Sequence, residues 1–125
     1  MNRYALLFCV PMIGCGSSAV GEWEGECPYT LGGDLYAYEV EIEVDDVKKG
    51  DINGTARVID DQQQVSNGTL DGQKVKNNLT LKVKFVDGVR EGDVFEFNGE
   101  LDGRQMLGDF NLESHTGDCE LERQE

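Results

Sequence analysis

The sequence predicts an all-β chain: eight strands in an antiparallel, up-and-down array that closes into a barrel when the first and last strands pair. Three observations lead there. Beyond Gly21, apolar and polar residues alternate with a period of two, the spacing of a strand buried on one face. Gly and Asp punctuate that alternation at short intervals, as tight turns require. Two cysteines, Cys27 and Cys119, stand near the two ends of the alternating region, where pairing of the terminal strands would bring them together. No stretch of helical periodicity reaches a useful length.

The first strand covers about residues 21–27. The second is the plainest: Tyr36, Tyr38, Val40, Ile42 and Val44 interleave with Glu39, Glu41 and Glu43. A third and a fourth fall at about 51–59 and 64–70. In the fifth, Leu79, Leu81, Val83 and Phe85 alternate with Thr80, Lys82 and Lys84; in the sixth, Phe95, Phe97, Gly99 and Leu101 alternate with Glu96, Asn98 and Glu100. Segments at about 104–112 and 118–123 complete the set. Short connections make neighbours in sequence neighbours in space, which gives a meander. Asp71-Gly72 and Asp102-Gly103 read as hairpin turns. They close two similar segments, Asn67–Gly72 and Asn98–Gly103, an echo for which shared hairpin grammar is sufficient cause.

Ahead of the strands, Met1–Arg3 carry one positive charge and Tyr4–Ile13 are apolar. That run is well short of the roughly 20 residues of a membrane-spanning helix and suits the core of an export signal. Its end, Met12-Ile13-Gly14-Cys15, resembles the signal of bacterial lipoproteins. The resemblance implies a signal peptide over 1–14, acylation of Cys15, a flexible tether to residue 20 through Gly16, Ser17 and Ser18, and a barrel domain over 21–125. Gly16, rather than Asp, after the cysteine implies the outer membrane. An ordinary cleaved secretory signal is the alternative.

Processing would leave 111 residues, one small domain. With 25 acids against 11 basic residues the chain carries −14, and all the acids survive loss of the signal. Such acidity argues against nucleic acid as a partner, and none is expected. It suits attraction of cations or a basic protein, although solubility alone is sufficient reason for it. Export favours a disulfide. With Cys9 in the signal and Cys15 acylated, Cys27–Cys119 is the pair that remains, and closing so long a loop is worth on the order of 4 kcal/mol.

Eight strands put the end of the first and the start of the eighth at the same end of the array; seven would not. If the two cysteines face each other, Gly25 stands opposite Leu121 and Trp23 opposite Arg123. Trp23, Gly25 and Cys27 then point inward with Cys119, Leu121 and Arg123, so the one interior charge lies beside the only tryptophan. Gly21-Glu22-Trp23, with an Arg crossing that Trp from the last strand, resembles the lipocalins and the wider calycin group. The resemblance implies a barrel plugged at this end by the Trp–Arg pair and open to ligands at the other. The chain is shorter than typical lipocalins and shows no helix after its last strands. Phe95, Phe97, Phe110, Met106 and Ile42 can fill the interior. The inward glycines Gly25, Gly54, Gly68, Gly99 and Gly108 either let the wall close tightly or leave room for a small apolar ligand.

The tether reaches the barrel at the Trp23 end, which should face the membrane together with the two Asp-Gly hairpins and the loop Asp45–Gly50. The opposite end should carry the longer connections, at 28–33, 60–63, 87–93 and 113–117. Tyr29, Tyr36, Tyr38, Asp60, Asp61, Arg90, Glu91 and His115 are the candidate rim for a ligand or partner. One outer wall should be acidic, from Glu22, Glu24, Glu26, Glu39, Glu41, Glu43, Glu120 and Glu122. Lys82 and Lys84 should make the far wall basic, with Lys84 opposite Glu96.

Nothing points to catalysis. His115, beside Ser114, reads as an exposed turn residue, and neither a nucleophile elbow nor a phosphate loop is present. No acidic run has calcium-loop spacing, and no metal or cofactor is expected. Three functions remain. The first is a monomeric, lipid-anchored, non-enzymatic envelope protein that binds a partner or small apolar ligand at the distal rim. The second is an inhibitor of a basic hydrolase such as lysozyme or a protease, on architecture and charge alone, since the Tyr-x-Cys and Ser-Gly-x-x-Tyr signature of lysozyme inhibitors is absent. The third is a structural envelope protein with no discrete ligand.

Overall fold

Alternation builds the walls. The computed structural model describes residues 18–124. They form a closed barrel of eight antiparallel strands in sequence order, with no helix. The strands are β1 (Gly21–Leu31), β2 (Asp34–Lys48), β3 (Asp51–Ile59), β4 (Val65–Val75), β5 (Asn78–Phe85), β6 (Val94–Asp102), β7 (Gln105–Leu112) and β8 (His115–Arg123). The signal peptide and the lipidated Cys15 inferred from the sequence lie outside the described residues.

The seam has the register that the cysteines imply. Trp23 pairs with Arg123, Gly25 with Leu121 and Glu26 with Glu120. Cys27 and Cys119 form a disulfide. Closure leaves no free sheet edge, and this architecture is consistent with a calycin-like fold.

The interior is lined by the inward set of every strand. Trp23, Tyr38, Val40, Leu81, Val83, Phe95, Phe97, Met106, Leu112 and Leu121 are completely buried. Burial of such side chains contributes roughly 1.5–3 kcal/mol each, and this is what holds the barrel together. Mid-strand glycines serve wall closure rather than ligand space: a Cβ on Gly25 would lie 1.9 Å from the Glu120 carbonyl oxygen, and one on Gly108 2.1 Å from that of Asn98. Backbone, not empty volume, stands where the side chain would be.

Several expectations need correction. Asp71-Gly72 is not a turn but the middle of β4: Asp71 faces Lys82 and Gly72 pairs with Leu81. The turn lies at Lys76-Asn77, where Lys76 takes φ 58°. The Asp45–Gly50 loop is largely strand. A bulge between Val44 and Asp46 shifts the register, lets Val47 pack against the core and leaves only Lys49-Gly50 as the turn. The long 28–33 connection is a two-residue hairpin, because Gly32 and Gly33 both take positive φ, 63° and 89°. His115 opens β8 instead of lying in an exposed turn, and Glu113-Ser114 makes the connection. Glu96 faces Lys82, whereas Lys84 faces Val94.

Candidate functional site

The two ends of the barrel are closed by different chemistry. At the end where β1 begins, the Arg123 guanidinium lies 4.5 Å from the Trp23 ring centroid, a favourable cation–π distance. The segment ahead of β1 straps across this end. Arg123 donates from Nη1 to the Val20 carbonyl at 2.7 Å and from Nη2 to that of Ser18. The Trp23 indole N–H donates to the Ala19 carbonyl at 2.9 Å, and Ala19 is buried. Gly21 belongs to the same device. Its φ is +134°, and a Cβ there would come within 2.7 Å of Arg123 Nη1, so the Gly-x-Trp spacing makes room for the guanidinium.

At the distal end the mouth is covered by Arg90, from the 86–93 loop between β5 and β6. That loop is fastened at several points. Val86 N–H donates to the Asn67 carbonyl at 2.8 Å, the Asn67 N–H donates to Asp87 at 2.9 Å, and the Arg90 N–H donates to the buried Ser66 hydroxyl at 3.1 Å. The Arg90 side chain, only 17% exposed, pairs with Glu113 and lies 3.9 Å from Asp93. Its Nη2 donates to the Tyr38 hydroxyl at 2.9 Å, and its guanidinium carbon sits 5.5 Å from the Tyr38 ring centroid.

Tyr38 Oη also lies 2.6 Å from His115 Nδ1. An arginine can only donate, so the phenol oxygen accepts from Arg90 and is shared between the guanidinium and the imidazole. Burial pushes the Tyr38 phenol well above its ordinary range, with the Arg90 charge pulling the other way. Around this relay runs an aromatic column. Tyr29 stacks on His115, Tyr38 and Tyr36 at centroid distances of 4.3, 4.8 and 5.6 Å. Below it Phe110 meets Tyr38 edge-on and stacks on Phe95.

Of the rim residues expected from the sequence, the structure unites Tyr29, Tyr36, Tyr38, Arg90 and His115. Asp60 instead caps its own loop, accepting from the N–H groups of Gln62 and Gln64 at 2.9 Å each. Asp61 and Glu91 are exposed loop residues outside the Tyr38 network. Sequence reading missed Glu113 as the partner of Arg90. Both sit in connections, where no periodicity signals which residues meet.

Grooves cross the outside of the barrel wall. One of about 730 Å³ crosses β1, β8 and β7 between Glu26, Leu107, Asp109, Asp118 and Glu120. The acidic wall is as expected: Glu24 stands between Glu41 and Glu122, and Glu26 between Glu39 and Glu120. Like charges side by side are unfavourable, and here they face water. Among the described residues, no three His, Cys, Asp or Glu side chains are grouped to hold a metal ion. No protein-family model and no curated protein matches the chain.

Proposed function

We propose that this protein is a non-catalytic binding module of the bacterial envelope, lipid-anchored at Cys15, that engages a partner protein with its distal rim. The carrying observation is where its exposed apolar side chains lie. Of the eight large ones among the described residues, Leu31, Leu35, Val65, Val86, Val89 and Val94 are at or beside the distal connections. Leu35 is 73% exposed. Apolar surface gathered at one end of a barrel marks an interaction site more than it serves solubility. The packed aromatic column and the Arg90 cover favour a protein surface over a small ligand held inside.

A photo-reactive residue placed at Leu35 or Val89 tests this in producing cells. Adducts to a discrete protein should form from both positions and not from Val75 at the opposite end. Equal labelling from all three, or none, defeats the reading.

The charge of the same end favours a second reading, an inhibitor of a basic hydrolase. Asp34, Asp60, Asp61, Asp87, Glu91, Asp93 and Glu113 surround the rim, where Arg90 is the one arginine or lysine in the connections themselves. Titration with lysozyme at low and high salt checks it: inhibition that fades with salt supports it, and no inhibition at low salt removes it.

A further inference from the structure

The three turns at the strap end share a feature that the distal connections lack. Lys49 sits in the β2–β3 turn, Lys76 in the β4–β5 turn and Arg104 in the β6–β7 turn, all exposed. Arg104 donates to the Arg123 carbonyl at 3.2 Å, which fixes it at this end. The acids nearby stand on the strands rather than at the tips. Asp46 lies 4.0 Å from Lys48 and accepts from Asn53, Asp51 accepts from Gln73, and Asp102 ends β6. The two remaining exposed large apolar residues are also here. Val20 lies in the strap, and Val75, 64% exposed, adjoins Lys76.

We propose that Lys49, Lys76 and Arg104 form a three-point foot resting on anionic lipid headgroups, with Val20 and Val75 against the interface, so that the barrel stands upright. The occupant follows from the path of the chain. Ser18 lies at this end through its bond to Arg123, and Cys15 is three residues further back, a reach of about 10 Å. A lipid on Cys15 would therefore keep Ser18 and this end of the barrel within about 10 Å of a bilayer, close to the Debye length at physiological salt, and each cation near an anionic surface favours contact by about fivefold. This inference rests on the anchor reading above.

Amide hydrogen exchange of the mature, lipidated protein tests it, on phosphatidylcholine vesicles with and without phosphatidylglycerol. The anionic lipid should slow exchange about fivefold or more at the three turns and leave the 86–93 loop unchanged. The slowing should vanish at high salt and in a K49E/K76E/R104E variant. Should that variant misfold, the single substitutions K49Q and K76Q, both at exposed tips, should each remove part of the effect. Equal exchange on both vesicle types, or protection of the distal loop instead, overturns the foot while leaving the anchor intact. A chain that binds neither vesicle type and carries no acyl mass on Cys15 refutes the anchor itself, and the foot with it.

Discussion

Arg123 and Arg90 each lie over an aromatic ring at one end of the barrel, 4.5 and 5.5 Å from the centroid, but they are held in place differently. Arg123 belongs to a strand, and sheet register alone brings it opposite Trp23. It donates to the Val20 and Ser18 carbonyls of the strap. Arg90 belongs to a loop and reaches Tyr38 on β2 and Glu113 in the β7–β8 turn. Its partners are a carboxylate and a phenol. One closure is a consequence of the sheet; the other is a set of side-chain contacts made by a loop.

Trp23→Ala should have the largest effect, because it removes the platform on which strap and guanidinium rest. A loss of about 3–5 kcal/mol in urea unfolding is expected. A loss below about 1 kcal/mol would mean that the strap seals this end without the indole. At the mouth, Tyr38→Phe keeps the ring packing and removes the hydroxyl shared by Arg90 and His115, for which about 1–2 kcal/mol is expected. No change in the unfolding midpoint would mean that the relay contributes nothing to closure.

The same pair of proteins separates the two ends by pH. The Tyr38 phenol is raised in the folded state, so folded protein holds that proton where unfolded protein has lost it. Its contribution is therefore fully present below the ordinary tyrosine value of about 10 and is lost as pH climbs above it, at up to about 1.4 kcal/mol per pH unit. Wild type should lose stability faster than Tyr38→Phe above that point, and parallel curves would contradict the assignment. Glu113→Gln should have the smallest effect. Glu113 is half exposed, so its pairing with Arg90 is worth less than about 1 kcal/mol and should fade with salt. A larger, salt-resistant loss would make the mouth as firmly built as the strap end.

This contrast also explains what could be read from the sequence. Period-two alternation and one pair of cysteines were sufficient for the eight strands, the seam and the Trp23–Arg123 pair, because a sheet converts sequence spacing into position. Turn chemistry was less legible. Asp71-Gly72 has the composition of a turn, yet Asp71 finds Lys82 across the strand and the chain continues to Val75. The alternation pairs Lys84 with Glu96, whereas Lys82 holds that place, a two-residue slip that keeps the correct face. The mouth was legible only as a group of residues at one end. That Arg90 would fold inward onto Tyr38 depends on the fastening of its loop to Asn67 and Ser66, contacts that follow no period.

The backbone N–H of Gln124 donates to the Glu22 carbonyl at 2.8 Å, so the described chain finishes beside the place where its first strand starts. A short linker between those points, with a new opening cut at Asp61-Gln62, should yield a circular permutant with the same barrel. A reporter fused after residue 124, by contrast, would emerge next to the strap and crowd the surface that the turns are meant to reach, so the 60–64 loop is the better site for a label.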